Sequence, residues 1–193
     1  MAGVLVIRGG GLGDFVVTLP AMQALAESGW RVRLLARPGH AELVAHEPWV
    51  GGVMDVRGQA ASTLWSGNPG NAVREFAAGC EAAVSFVPDG AGALRAGLSA
   101  CGIRRIVDAS KPPPHGTPAP VHFARCVRGL GVTAATVPRI KLPGGMAVRG
   151  GGRFLLHPGS GSAAKNAPVA MWVEALGHWM SLGWRPWRVI EGE

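Results

Sequence analysis

Charged side chains, cysteines and long apolar runs are all scarce in this sequence. Charged residues make up only 16% of the 193-residue chain, whereas apolar residues make up 48%. That balance is typical of a well-buried globular core and argues against disorder. No apolar run approaches the roughly 18 residues of a membrane-spanning helix. A basic leader with a hydrophobic stretch and a cleavage site is also missing, so the sequence predicts a cytoplasmic protein.

The cysteines and histidines show no pattern of a disulfide framework or a metal site. Cys80, Cys101 and Cys126 are odd in number and scattered, and no C-x-x-C pair occurs. We interpret them as reduced core thiols. No Asp-x-Asp occurs either, and the histidines lack ligand spacing, so we expect His157 and His178 to be structural or surface residues. The sequence therefore predicts neither a metal nor another cofactor.

The net charge is +7, and it comes from 16 arginines and only three lysines against 12 acidic residues. A basic surface is compatible with a phosphorylated substrate, an anionic membrane face or a nucleic acid. The arginines are spread along the chain, however, with no basic block and no nucleic-acid-binding motif. We therefore expect no nucleic-acid partner, and the charge gives only weak support for an anionic ligand.

The chain is organised around a strand, a glycine-rich loop and a helix at its start. Val4–Ile7 is an unbroken apolar run, which suits a strand buried on both faces of a parallel sheet. Glycines follow at positions 9, 10, 11 and 13, and apolar residues recur at helical spacing from Phe15 to Leu25. Such a loop offers backbone N–H groups at the carboxyl edge of the sheet, where open α/β folds bind ligands.

Asp14 closes this loop and has two compatible interpretations. Aspartate is among the best helix N-caps. A carboxylate at the mouth of a ligand crevice is also placed to act as a general base. Pro20 lies only six residues further on, so we expect a kink or a short first turn there.

The loop does not match the dinucleotide-binding fingerprint. Read from Gly9, the pattern G-x-G-x-x-G requires a glycine at position 14, where Asp14 stands. The second predicted strand, residues 31–36, also lacks an acidic residue at its end and runs into Arg37 and Pro38. NAD is therefore disfavoured, while Arg37 leaves an NADP-dependent oxidoreductase open as an alternative.

Strands and helices alternate along the rest of the first part of the chain. Further strands are predicted near residues 53–56, 82–87 and 105–107, with helices between them and a loop over 57–70. This alternation predicts an α/β fold with a doubly wound parallel sheet over residues 1–142. Residues 143–152 contain five glycines and are predicted to be an interdomain linker.

The opening pattern returns in residues 153–193. An apolar strand ends at His157, and a loop of small residues leads from Pro158 to Lys165 into a helix with an apolar face. The loop offers backbone N–H groups, two hydroxyls and an ammonium, which together suit a diphosphate. It lacks the Walker spacing, and a serine–glycine turn beside a surface lysine explains the pattern equally well.

Taken together, the two loops resemble those of the family 9 glycosyltransferases, the ADP-heptose:lipopolysaccharide heptosyltransferases and their relatives. The resemblance rests on VLVIRGGGLGDFVVTLPAMQAL, RVRLLARPGHAELV and FLLHPGSGSAAKNAP. It implies a GT-B arrangement, in which two Rossmann-like domains face each other across a cleft. The first domain holds the acceptor and the second binds the nucleotide sugar, so residues 153–193 would be the start of the donor domain.

The resemblance also implies a role for single residues. Asp14 matches the proposed catalytic base, and Gly11 and Gly13 belong to the acceptor-binding loop. The residues that match the donor-phosphate loop are Ser160, Gly161, Ser162 and Lys165. The implied reaction is inverting, metal-independent transfer of a heptose or related sugar from an ADP-sugar to a lipopolysaccharide-core-type acceptor. It would take place in the cytoplasm, with peripheral contact at the inner face of the membrane.

Full members of the family continue well past residue 193. The resemblance therefore implies that this chain holds an incomplete donor domain, and we expect it not to transfer sugar by itself. Three interpretations stay open from the sequence: a glycosyltransferase, an NADP-dependent oxidoreductase, and a non-catalytic remnant that binds acceptor or nucleotide without turnover.

Overall fold

The computed structural model describes residues 2–132, 153–156 and 166–189. The chain divides into two compact units, Met1–Lys141 and Leu142–Glu193. The predicted linker, residues 143–152, lies outside the described residues.

The first unit alternates strands and helices along its described length. Its strands are β1 (Gly3–Arg8), β2 (Arg31–Ala36), β3 (Val50–Asp55), β4 (Cys80–Ser85) and β5 (Arg105–Asp108). Its α-helices are α1 (Leu12–Val16), α2 (Leu19–Glu27), α3 (Pro38–Ala41), α4 (Gln59–Ser62), α5 (Asn71–Ala77), α6 (Ala93–Ala100) and α7 (Ala119–Cys126). Two 3₁₀ helices follow α4 and α7 directly, at Thr63–Ser66 and Val127–Leu130.

The five strands form one parallel sheet in the order β3-β2-β1-β4-β5. The predicted doubly wound parallel sheet is therefore confirmed. Strand β1 lies at the centre, and the chain reverses its direction of travel across the sheet between β1 and β4. In open α/β sheets the crevice at such a switch point, beyond the carboxyl ends of the strands, is where ligands bind. The loop after β1 opens into this crevice.

Apolar side chains alternate between the two faces of the central strand and bury both. Val4 and Val6 lie in a core with residues of α2 and α7, such as Met22 and Phe123. Leu5 and Ile7 lie in a second core on the other face, with residues of α5, α6 and the Thr63–Ser66 helix. All four β1 side chains are fully buried, so β1 is a rigid base for the loop that follows it.

The break in the first helix comes where proline requires it. Helix α1 ends at Val16, and α2 begins at Leu19 with Pro20 in its first turn. Proline fits there because the first-turn N–H groups have no partner inside the helix. The expected short first turn at Pro20 therefore takes the form of two successive helices.

Residues 57–70 differ from the sequence-based expectation. They were predicted as a loop, but they contain α4 and the Thr63–Ser66 helix. Small and polar residues dominate this stretch, and the segment folds because Ala61 and Leu64 are fully buried in the second core. The prediction of an unstructured loop was wrong because burial of two side chains outweighs the weak local pattern.

The second unit has a two-stranded parallel sheet, β6 (Arg153–Leu156) and β7 (Arg185–Val189), joined through helix α8 (Val169–Ser181). Helix α8 has no buried residue, and three of its apolar side chains are exposed: Val173, Trp179 and Met180. Among the helices that the structure describes, none combines the length and the apolar character needed to cross a bilayer.

Candidate functional site

Asp14 lies in the first turn of α1, directly after the loop that leaves β1 at the switch point. Its Oδ2 accepts a hydrogen bond of 2.9 Å from the backbone N–H of Gly11. Its Oδ1 lies 3.2 Å from Nη2 of Arg8, and 56% of the Asp14 side chain is exposed. The carboxylate is therefore held at both oxygens and still open to solvent and ligands.

Gly11, rather than Asp14, is the N-cap of α1. The helix begins at Leu12, which makes Asp14 its third residue. There the side chain reaches back to the N-cap N–H, as the acidic residue of a capping box does. The prediction of Asp14 as the N-cap was wrong, because the helix starts before its apolar periodicity becomes visible. Asp14 still stabilises the helix start, so capping and a chemical role remain compatible.

Arg8, the last residue of β1, links Asp14 to the neighbouring strand. Its Nε donates 2.9 Å to the backbone carbonyl of Asp14, and its Nη1 donates 3.1 Å to the carbonyl of Phe86, just beyond β4. The guanidinium carbon lies 5.8 Å from the ring centroid of Phe86 and 5.6 Å from that of Phe123. Arg8 therefore bridges the two strands that flank the switch point.

Burial sets the electrostatics of this arginine. The Arg8 side chain is only 12% exposed. Burial lowers the pKa of its guanidinium from the ordinary value, and the nearby Asp14 carboxylate acts in the opposite direction. Arginine nevertheless stays charged at physiological pH. A fixed positive charge therefore faces the Asp14 carboxylate.

The glycines of the loop leave room for Asp14 on one side and for solvent on the other. Gly10 adopts φ +85°, and an added Cβ there would lie 2.5 Å from Oδ2 of Asp14. A Cβ on Gly13 would meet no atom within 4 Å. Gly13 is exposed beside Asp14, so the open side of the loop has space for a molecule that approaches the carboxylate.

This geometry disfavours a pyrophosphate at the first loop. In a dinucleotide-binding turn, N–H groups at the start of the helix face the pyrophosphate. Here the Gly11 N–H already donates to Asp14, whose negative charge stands where an anion would approach. Helix α1 also has only five residues. The first loop therefore lacks the free N–H groups and the long helix that a dinucleotide-binding turn offers.

An open cleft of about 360 Å³ begins beside the same loop. It is lined by Gly9, Val56, Arg57, Ser62, Trp65 and Val87. Its walls are mostly apolar. The half-buried Trp65 supplies an aromatic ring, and the exposed Arg57 supplies a positive charge. Arg57 pairs through Nε with the Asp55 carboxylate at 3.6 Å.

Three residues of this region, Arg8, Arg57 and Trp65, were not predicted from the sequence. Arg57 and Trp65 fell in the stretch that was predicted as a loop, and nothing local marks them as cleft residues. The sequence did carry a signal for Arg8: it ends an otherwise apolar buried strand, so its guanidinium has to find partners inside the fold.

The predicted donor-phosphate residues lie outside the described residues: Ser160, Gly161, Ser162 and Lys165. Within the described part, no group of three or more His, Cys, Asp or Glu is placed to hold a metal ion.

Comparison with solved structures identifies the fold. The chain superposes on a family 9 glycosyl transferase from Veillonella parvula DSM 2008 with a TM-score of 0.65 at 13% sequence identity. The match covers 96% of this chain and 62% of that protein. The chain has the fold of the family 9 glycosyltransferases. The resemblance predicted from the two loops is therefore confirmed for the fold.

Two structures of the E. coli heptosyltransferase WaaC share this glycosyltransferase fold. The complex with ADP matches with a TM-score of 0.62, and the complex with ADP-2-deoxy-2-fluoro heptose with 0.61, both at 16% identity. The matches cover 99% of this chain and 68% and 69% of the respective WaaC chains. No protein-family model and no curated protein sequence matches the chain.

Proposed function

We propose that this chain is the acceptor-side part, with the beginning of the donor side, of an inverting glycosyltransferase. It would transfer a heptose or related sugar from an ADP-sugar to a lipopolysaccharide-core-type acceptor. The observation that carries the proposal is the Asp14 carboxylate, which is anchored at both oxygens and exposed beside the loop that follows the central strand. The glycosyltransferase fold of the neighbours and the ADP-sugar bound to WaaC support it.

Asp14 would act as the general base. The acceptor hydroxyl oxygen attacks the anomeric carbon of the donor while its proton passes to the Asp14 carboxylate. The bond from the anomeric carbon to the diphosphate breaks, and its electron pair leaves with ADP. Attack on the face opposite the diphosphate inverts the anomeric centre, so one carboxylate suffices, whereas a retaining glycosidase needs a pair.

The donor diphosphate would bind at the second loop. Backbone N–H groups at Ser160, Gly161 and Ser162 and the ammonium of Lys165 would stabilise the charge that develops on the leaving group. This assignment rests on the resemblance of the loop. It requires no metal ion, because the positive charge and the N–H donors come from the protein.

The acceptor would lie in the cleft beside Gly9. A sugar ring presents an apolar face that stacks on tryptophan, and Trp65 offers such a face. Asp55 engages Nε of Arg57, so the two Nη groups are the donors that an anionic substituent would meet. The net charge of +7 is compatible with peripheral binding to the inner face of the membrane, where acceptors with lipid tails reside.

Calorimetric titration of the 193-residue chain with ADP, ADP-heptose and NADPH tests the proposal. We expect weak binding of ADP and ADP-heptose and weaker binding of NADPH, because the Asp14 carboxylate repels a pyrophosphate at the first loop. Tight NADPH binding without any response to ADP would replace the proposal with an oxidoreductase. Acceptor and ADP binding without transfer by the protein from the complete reading frame would instead indicate a non-catalytic remnant.

A further inference from the structure

Arg8 contacts Asp14 through two of its three nitrogens. Nε donates to the backbone carbonyl of Asp14 at 2.9 Å, and Nη2 lies 3.2 Å from its carboxylate oxygen Oδ1. The third nitrogen, Nη1, donates to the carbonyl of Phe86 at 3.1 Å. One guanidinium therefore fixes the main chain and the side chain of Asp14 relative to the end of β4.

The guanidinium itself has little freedom. It lies within 6 Å of the ring centroids of Phe86 and Phe123 at once. The two rings pack against each other edge to face, with centroids 5.3 Å apart. A planar cation that lies against two aromatic rings and is bonded through all three nitrogens keeps one orientation. The Asp14 carboxylate, which pairs with this guanidinium, is therefore held in one orientation as well.

We propose that Arg8 is a positioning residue, which orients the Asp14 carboxylate toward the acceptor hydroxyl. The inference rests on the proposed function, because it presumes that Asp14 takes the acceptor proton. Solvent screens the Asp14 carboxylate, whose side chain is 56% exposed, whereas the Arg8 side chain is only 12% exposed and is bonded to two backbone carbonyls as well. The arrangement therefore serves geometry: without Arg8 the side chain would rotate about χ1 and χ2, and the Gly11 N–H alone would hold it.

The Gly11 amide reports on this geometry without any turnover. Its hydrogen bond to Oδ2 of Asp14 exists only while the carboxylate points back along α1. In Arg8→Ala we expect the Gly11 amide to exchange about two- to tenfold faster, the ratio that corresponds to one net hydrogen bond. Asp14→Ala, which removes the acceptor itself, should accelerate exchange at least as much. Nuclear magnetic resonance of the 193-residue chain measures both.

Arg33→Ala is the matched control. Arg33 is also half-buried on a neighbouring strand, and its Nη1 donates to the carbonyl of Phe76 at 2.6 Å, away from the loop. Its loss should lower stability and leave the Gly11 amide unchanged. Millimolar guanidinium chloride, well below denaturing concentrations, should occupy the space that the Arg8 guanidinium leaves beside Phe86 and Phe123 in Arg8→Ala and restore the protection of Gly11. Urea, which is neutral, should not.

Steady-state kinetics of the protein from the complete reading frame, with ADP-heptose and a lipopolysaccharide-core acceptor, complete the test. Arg8→Ala should lower kcat about 100-fold, the cost of a misplaced catalytic group, with KM nearly unchanged. Arg8→Lys should recover part of kcat, since it keeps the charge but cannot reach all three acceptors.

The possible failures are distinguishable. Unchanged Gly11 exchange in Arg8→Ala, together with a change in Asp14→Ala, would overturn the positioning role and leave the proposed function intact. Undiminished turnover in Asp14→Asn would instead contradict the proposed function, whatever the Gly11 amide does.

Discussion

Gly10 leaves the space that the carboxylate of Asp14 occupies, since a Cβ on Gly10 would lie 2.5 Å from Oδ2. Gly10 also has φ +85°, a conformation that residues with a Cβ rarely adopt. We expect Gly10→Ala to destabilise the fold by about 1–2 kcal/mol and to lower turnover by displacing the carboxylate. Urea unfolding and transfer assays measure the two effects.

Gly129→Ala is the control for that substitution. Gly129 has no positive φ, and an added Cβ would meet nothing within 4 Å. It should leave both stability and turnover close to the wild type. Equal behaviour of the two variants would show that Gly10 is not needed to place Asp14.

Gly13 tests the acceptor-binding assignment of the first loop. It lies inside α1, and a Cβ there would meet no atom within 4 Å. Because alanine is a better helix former than glycine, Gly13→Ala should stabilise the fold by about 0.5–1 kcal/mol. If the acceptor approaches on this side, the same methyl group should raise the KM for the acceptor. An unchanged KM would remove Gly13 from the acceptor site.

The cleft beside Gly9 makes a separate prediction about acceptor binding. We expect Arg57→Gln to weaken binding of an anionic acceptor about three- to tenfold, as loss of a partly exposed charged hydrogen bond does. Trp65→Leu should weaken charged and neutral sugars alike, because it removes the stacking face. Titrations with glucuronate, glucose 1-phosphate and glucose separate the two effects.

Arg104→Gln provides the control for charge alone, since Arg104 is exposed outside the cleft. It should leave all three titrations unchanged. If Arg57→Gln matched Arg104→Gln, Arg57 would not contact the acceptor.

Gly97 permits close packing between α6 and the 3₁₀ helix that carries Trp65, a residue of the cleft beside Gly9. A Cβ on Gly97 would lie 2.1 Å from the backbone carbonyl oxygen of Leu64, next to Trp65. Helix α6 therefore approaches the Thr63–Ser66 helix as closely as only glycine permits. We expect Gly97→Ala to lower the free energy of unfolding by about 1–3 kcal/mol, the usual cost of overpacking. Gly39→Ala in α3, where an added Cβ meets nothing within 4 Å, should not; equal losses would contradict the packing argument.

The sheet was predictable from the sequence because its strands carry a strong local signal. The apolar run Val4–Ile7 and the alternation of strands with helices were enough for the parallel α/β fold. Residues 57–70 were not predictable, because the two helices there depend on Ala61 and Leu64 reaching a core built by other segments. Local pattern contains no information about that core.

The residues of the candidate site were also only partly predictable from the sequence. Asp14 stood out because a carboxylate closes a glycine loop after a buried strand. The position of Asp14 within the helix was not predictable, because Gly11 caps α1 one turn before any apolar periodicity appears. Arg8 could have been singled out as the arginine that ends a buried strand, but its partners could not, because Phe86 and Phe123 come from distant parts of the chain. Spacing along a sequence cannot show that three such segments meet.

Turnover by Asp14→Asn is the most direct test of Asp14 as the base. Asparagine keeps the size of the side chain and an oxygen for the Gly11 N–H, and Arg8 keeps its hydrogen bonds to the backbone carbonyls of residue 14 and Phe86. It cannot take the acceptor proton. In the protein from the complete reading frame, acceptor-dependent release of ADP from ADP-heptose should fall about 100- to 10,000-fold. Asp108→Asn, at the same edge of the sheet, should retain activity. Near wild-type turnover in a folded Asp14→Asn would show that Asp14 only stabilises the start of α1.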